Sequence, residues 1–558
     1  MILALIKVIW KNLHLFFCFI DLTPTHISWQ PSVNASTHHT DRYANTELTV
    51  RRGQAFTITL YFNRPKQNGE SLAFVTEIGP SPSESHHTKA VFNLSEVGAS
   101  GWSAAQGPSE AGYVNFTISS PANAVIGRYN LILQVTSGNK IFSRFLGQFV
   151  LLFNPWCPGD DVYMDNENER QEYVLNENGI IFVGNAKYIE ARGWYYGQFQ
   201  DHLLNICLTM LDLSLYYRQD PAIDVSRRGD PKYVGRVISS MINGNDNDNG
   251  VLLGKWQGSF HSDENPSRWD GSVVILQKWR QDNYKPVRYG QCWVFAGVMC
   301  TVLRCLGIPT RLVSNFNSAH DVDRNLSIDK YYDSSGKSLN IGKDSTWDYH
   351  VWNESWFIRP DLGTSYNGWQ VLDATPQEQS KGLFQCGPAS VIAIKEGDVD
   401  LDYDTLFVYT EVNADCNRWI VYNDGTKKRV YCDTEIIGRF ISTKAVGSNS
   451  RVDVTYSYKY PEGKRVITMN DYKLNKAVSL EISYANPLPE PVNRCVLLVT
   501  LMNQQVKIHL APLAPRERSK IYFEFTPRRT GPLQLQVDFS CDKFSHVKGF
   551  VTIAVASA

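Results

Sequence analysis

Tyr289-Gly290-Gln291-Cys292-Trp293 opens a long apolar run, Cys292-Trp-Val-Phe-Ala-Gly-Val-Met-Cys-Thr-Val-Leu-Arg-Cys-Leu306. The run is apolar almost all round, which predicts a helix enclosed in a large core, with Gly307 and Pro309 as its stop. Cys292 then falls in the first turn. Unpaired N–H groups and the positive end of the helix dipole favour a thiolate at that place. A nucleophilic cysteine also needs an imidazole to hold its proton and an acceptor to orient the imidazole.

Both groups follow downstream. His350 lies in Trp347-Asp-Tyr-His-Val-Trp-Asn-Glu-Ser-Trp356, a segment rich in strand formers, and Asp373 lies in Gly368-Trp-Gln-Val-Leu-Asp-Ala-Thr-Pro376, a short run closed by proline. Two neighbouring strands would present His350 and Asp373 side by side against the helix bearing Cys292. Taken singly, each of the three reads as a structural residue. Their combination in this order is what points to chemistry.

The whole chain sets bounds on that reading. At 558 residues it is too long for one core, and length alone predicts about three or four domains. The 55 basic and 56 acidic residues leave a formal net charge of -1, so no basic surface for nucleic acid is expected. The 11 cysteines are odd in number and show no zinc spacing; they read as reduced thiols in a reducing, cytoplasmic compartment. Met1–Ile20 is apolar but interrupted by Lys7 and Lys11. It is too broken for a membrane span or a secretory signal and reads as an atypical leader over residues 1–21, or a gene-model artefact.

From about Leu22 to residue 153 the pattern is β. Phe56, Ile58, Leu60 and Phe62 alternate with Thr57, Thr59 and Tyr61, the pattern repeats at Tyr129, Leu131, Leu133 and Val135, and the turns between predict a sandwich without chemistry. Asn154-Pro-Trp-Cys-Pro158 marks the boundary to the next domain. Apolar residues from Phe199 to Leu211 recur at helical spacing and predict a helix over Gln200–Leu211. Arg228-Gly-Asp230 is too short a motif to carry an adhesion reading. Asn243-Gly-Asn-Asp-Asn-Asp-Asn-Gly250 is dense in oxygen donors and reads either as a loop for a hard cation or as a polar turn. Asp321, Asp323, Asn325 and Ser327 place oxygens at every second position, so they can converge on one ion, although the pattern is not an EF-hand. From Lys476 the chain alternates again, through Val478–Tyr484, Ile521–Phe525 and Leu533–Phe539.

The blocks YGQCWVFAGV from Tyr289, HVWNESW from His350 and GWQVLDATPQE from Gly368 resemble the three catalytic blocks of animal transglutaminases. The similarity runs from roughly Trp29 to Gly463, resumes toward the C-terminus, and looks most like the cytosolic epidermal and neuronal members. The resemblance implies a multidomain α+β protein: an immunoglobulin-like β-sandwich over 22–153, a papain-like α/β catalytic core over 154–465, and a C-terminal β-barrel or sandwich over 466–558. The family's first C-terminal barrel is missing.

The resemblance further implies calcium-dependent acyl transfer from glutamine-donor proteins to lysine-bearing proteins or polyamines, with Cys292, His350 and Asp373 as the triad. Trp256 matches the family's indole oxyanion donor and Trp347 a tunnel wall; without the resemblance both would read as core aromatics. Asp344 joins Asp321, Asp323, Asn325 and Ser327 in one calcium site. Asn243, Asn245 and Asp248 match a second, in a loop one residue longer than the family's. Asn413 and Glu462 match a third, whose last glutamate has no counterpart. Without the first barrel no guanine-nucleotide binding is expected. Two other readings stay open: hydrolysis, because papain-type proteases share the triad order, and a shortened, weakly active form that serves as a scaffold.

Overall fold

The computed structural model describes residues 21–95, 101–110, 112–261, 264–323, 325–459, 473–486, 488, 490–501, 504–515, 517–543 and 547–555. The apolar leader, apart from Asp21, and the Tyr460–Gly463 block with Glu462 lie outside the described residues. No described helix is long and apolar enough to cross a membrane. The chain forms two compact units, one reaching to Thr455 and the other holding the C-terminal strands.

The first unit begins with two facing sheets. One has the order Pro24–Ser28, Phe56–Phe62, Tyr113–Ser119, Ser103–Glu110; the other runs Leu48–Arg51, Lys140–Leu152, Gly127–Ser137, Glu70–Ile78, Lys89–Asn93. The expected alternation holds: Phe56, Ile58 and Leu60, and Tyr129, Leu131, Leu133 and Val135, all turn into one apolar core between the sheets.

The sandwich is stapled to the next domain by buried arginines. Arg52 makes a bidentate pair with Asp160, 2.7 Å in each arm, and donates to the carbonyls of Ala124 and Gly229 at 2.8 Å. Asp160 also accepts the N–H groups of Asn154 and Val162. All three guanidinium nitrogens and both carboxylate oxygens that burial strips of water are thereby paired.

Beyond Asn154 the fold is mixed. An antiparallel six-stranded sheet has the order Cys386–Ser390, Gly368–Asp373, Ser345–Phe357, Thr310–His320, Arg439–Lys444, Arg451–Asp453. The Cys292–Leu306 helix packs on its central strands, and the helices Leu203–Leu213 and Pro231–Ile242 pack against that helix. All fifteen residues of Cys292–Leu306 are buried. Arg304, its one charge, donates to the carbonyls of Thr310 and Asn176 and lies 4.3 Å over the Tyr196 ring. Gly307 ends the helix at φ 95°, and a Cβ there would meet the Phe153 carbonyl oxygen at 2.5 Å. Both the left-handed backbone and the close approach require glycine. The helix expected from Gln200 starts at Leu203 instead, because His202 before it sits at φ 67°, outside helical geometry. In Arg228-Gly-Asp230 the arginine is buried in ion pairs with Asp224 and Asp212, so the tripeptide is not displayed.

The second unit contains the two-stranded sheet Val478–Ala485 with Arg518–Phe525, and a four-stranded sheet in the order Gln504–His509, Val496–Leu501, Gly531–Ser540, Val547–Val555. Residues of both sheets share one apolar cluster. The described pairings leave the sheets separate, so the arrangement is a sandwich and not a closed barrel.

Removing one partner of the Arg52–Asp160 pair leaves a buried charge unmatched. Asp160→Ala is expected to cost about 3–5 kcal/mol, read as a lowered midpoint for the first unit in denaturant unfolding. Replacing both residues by apolar ones of similar size should cost clearly less.

Candidate active site

The helix begins at Cys292, which is buried beneath the surface with only 4% of its area exposed. His350 lies within the Ser345–Phe357 strand and Asp373 ends the adjacent Gly368–Asp373 strand. Antiparallel pairing of Asn353 with Leu372 brings them together, and His350 Nε2 stands 2.6 Å from Asp373 Oδ2. Asp373 accepts there, so Nε2 carries the proton. The buried Nδ1 makes no hydrogen bond of good geometry, yet the Cys292 thiol is near enough to raise the ring's proton affinity. Burial opposes charge on His350, but Asp373 first, then Cys292 and Glu411, outweigh it and hold the imidazole well above its ordinary value.

Two residues that the sequence reading did not single out complete this cluster. Glu411, on the Thr405–Asn413 helix, is buried with Oε1 3.6 Å from His350 Nε2. Gln377 donates from Nε2 to Asp373 Oδ2 at 3.1 Å and to Glu411 Oε1 at 2.8 Å. Its Nε2 also lies 3.1 Å from His350 Nε2; both atoms are donors there, so this is packing and not a bond. Thr375 N–H donates to Asp373 Oδ1 at 2.8 Å. Burial first, and then the Asp373 charge, push the Glu411 carboxyl up to about 8 against the pull of His350 and Gln377. Gln377 stands inside the GWQVLDATPQE block and Glu411 two residues before Asn413, but the two meet from segments 34 residues apart.

The two tryptophans stand beside this cluster. Trp256 is 40% exposed, stacks on Phe295 with centroids 6.2 Å apart, and tilts against Trp347 at 6.2 Å. Trp347 meets His350 edge-on at 5.1 Å. A Cβ at Gly254 would strike the Trp256 ring at 2.3 Å, so that glycine makes room for the indole.

Asp321, Asp323 and Asp344 have carboxylate oxygens within 4.8 Å of one another. Burial, then repulsion from Asp323, raise Asp321 to about 6, and burial raises Asp344. A cluster of oxygens that resists ionisation in this way suits a hard divalent cation. Asn325 and Ser327 bond to each other and to Asp329, a carboxylate not singled out in the sequence. Asp329 is fixed in turn by Asn417 and Trp419.

In the Asn243–Gly250 loop, the Asn243 side chain donates to the Phe384 carbonyl and accepts the Asn245 N–H. Asp248 keeps a buried oxygen, Oδ2, without a partner, and burial raises its carboxyl to about 6. Asn413 ends the Thr405–Asn413 helix, away from both of these groups of acids in sequence. The Asp321 group stands at the open end of a strand pair. His320 opposite Ser345 is its last rung, Asp321 and Asp344 are the next residues on either side, and Asn315 opposite His350 lies further along the same pair.

Glu411 carries a pH dependence of known sign. The unfolded chain loses this proton near 4.5 and the folded core keeps it to about 8. Between those values folding takes up a proton, so the group's contribution to stability falls as pH rises. Glu411→Gln, which has no proton to lose, is expected to flatten that part of the curve of thermal midpoint against pH.

Comparison with known proteins places this chain. Residues 25–136 match a Transglutaminase family N-terminal model, 260–374 the Transglutaminase-like superfamily core, and 466–557 the Transglutaminase family C-terminal ig like domain. The bovine protein-glutamine gamma-glutamyltransferase E is 41% identical over 685 residues, covering 95% of this chain and 99% of its own. The human protein-glutamine gamma-glutamyltransferase 6 is 42% identical over 700 residues, covering 96% and 99%. The crystal structure of red sea bream transglutaminase superposes with a TM-score of 0.73 at 34% identity, covering 96% of this chain and all of that one. Sequence, domain order and fold agree, and the chain belongs to the transglutaminase family.

Proposed function

We propose that this enzyme transfers the acyl group of a protein glutamine to a primary amine, a lysine side chain of a second protein or a polyamine, through a thioester on Cys292. The observation that carries the reading is the buried contact of His350 with Asp373 at 2.6 Å beside the first residue of the Cys292 helix. Cys292 sulfur attacks the glutamine carbonyl carbon, and His350 protonates the nitrogen that leaves as ammonia. Asp373 holds the ring so that Nδ1 faces the sulfur. The incoming amine then loses its proton to His350 and takes the acyl group from sulfur. The oxyanion formed in each step is met by the Cys292 N–H and the Trp256 indole N–H. Trp256 and Trp347 exclude water from the thioester and so favour amine over hydrolysis.

The residues fit calcium. Asp321, Asp323 and Asp344 with Asn325 and Ser327 would hold one ion, and Asp248 with Asn243 and Asn245 a second; Asn413 and Glu462 are assigned to a third. When bound, calcium supplies the charge that lets the crowded carboxylates ionise together. The described cysteines are all free thiols, which supports a cytoplasmic setting. The alignment with the bovine relative runs over 685 residues, more than the 558 of this chain. That supports reading the chain as lacking one C-terminal barrel.

Amine incorporation into a glutamine protein, followed with calcium and with chelator, tests the reading. Incorporation with ammonia release and no peptide cleavage is expected; cleavage would favour the protease reading, and no turnover the scaffold. Cys292→Ser should abolish thioester formation, while Cys300→Ser and Cys305→Ser retain it. Asp323→Ala should raise the calcium needed for half-maximal activity by about tenfold or more. An unchanged calcium titration would reduce the loop to a polar turn.

A further inference from the structure

Along the two central strands of the C-terminal sheet the inward side chains form a ladder: Leu501 opposite Leu535, Val499 opposite Val537, Leu497 opposite Phe539. The outward pair Val496 and Ser540 is the last recorded rung. One step further along the inward face, the same register sets Cys495 against Cys541. Cys495 is buried in the apolar cluster of that face, and Cys541 packs on it from a half-buried position. Residues directly opposed in an antiparallel pair have Cα atoms about 4.5–5.5 Å apart, inside the range a disulfide spans. Burial, and next the nearby Cys541, raise the Cys495 thiol, so Cys541 lies within electrostatic reach of it. Both are free: Cys495 Sγ lies 3.8 Å from the Val492 carbonyl, and the Lys543 N–H donates to Cys541 Sγ at 3.5 Å.

We propose that Cys495 and Cys541 form a reversible modification site, a cross-strand dithiol that small-molecule disulfides convert to an intramolecular disulfide. The reading is independent of the acyl-transfer site. Cys541, the more exposed, attacks one sulfur of oxidised glutathione as thiolate; a mixed disulfide forms and one glutathione thiolate leaves. Cys495 loses its proton to solvent, attacks the Cys541 sulfur, and expels the second glutathione. Two protein thiols are oxidised and one glutathione disulfide is reduced to two thiols. The closed loop contains the hairpin strand Gln504–His509 and the Arg518–Phe525 strand, so the cross-link constrains the unfolded domain and ties both sheets to one covalent ring.

The test is peptide mass mapping without reductant of the full 558-residue chain after exposure to oxidised glutathione. The expected product joins the Cys495 and Cys541 peptides with loss of two hydrogens and reverts with reductant, and the unfolding midpoint of the C-terminal unit rises by several degrees. Cys495→Ser should trap glutathione on Cys541, as single-thiol chemistry predicts, while half-buried Cys157 serves as the reference for simple adduct formation. A wild-type chain in which Cys541 stays free, or stays as a glutathione adduct with Cys495 unlinked, overturns the proposal.

Discussion

A helix with no exposed face has to be enclosed from every direction, and the Cys292–Leu306 helix sets that demand on the first unit. The central strands of the six-stranded sheet cover one side, and the Leu203–Leu213 and Pro231–Ile242 helices cover another. Its C-terminal end is closed by the sandwich, where Gly307 meets the Phe153 carbonyl and Arg51. Enclosure is thus the reason that the sandwich and the mixed domain form one unit: without the sandwich the helix end would face water with its carbonyls and apolar side chains bare. The same enclosure dries the site around Cys292, where fixed charges act far more strongly than in water.

That dryness gives the two acidic groups different characters. Around His350, two carboxylates share one imidazole and one amide donor, so proton positions are settled by which oxygen is already bonded. Around Asp321 the carboxylates crowd one another at a half-exposed edge. The first arrangement is held by hydrogen bonds among its own side chains; in the second, burial and mutual repulsion hold the carboxyls against ionisation.

Much of this was legible in the sequence, for reasons that are local. An apolar run without a polar face, a stop glycine, and period-two alternation each follow from the geometry of one element, so Cys292, the strands of His350 and Asp373, and the N-terminal sandwich could be read directly, whereas the C-terminal alternation left barrel and sandwich open. The His350–Asp373 contact needed only that two strands be neighbours. Gln377 and Glu411 were not legible as partners, because their meeting depends on a helix far along the chain folding against the sheet. The Arg52–Asp160 staple was hidden for the same reason, being separated by more than a hundred residues. The helix starts at Leu203 and not at the expected Gln200 because one left-handed histidine overrides side-chain periodicity. The Asn243 side chain shows a further limit: composition counts an oxygen, but only the fold shows that a neighbouring N–H already takes one of its two lone pairs.

The strand pair that carries His350 behaves as a mechanism with detents. Side chains on a strand alternate faces, so its pairing can shift only in whole residues, and a single-residue slip would turn His350 away from the Cys292 helix altogether. Asp321 and Asp344 sit at the mouth of this pair, beyond the rung of His320 and Ser345. Strain applied at the mouth can fray rungs one at a time toward Trp347, but it cannot displace the imidazole by a fraction of its working distance. The fold therefore makes the histidine's placement a quantity that is either correct or lost.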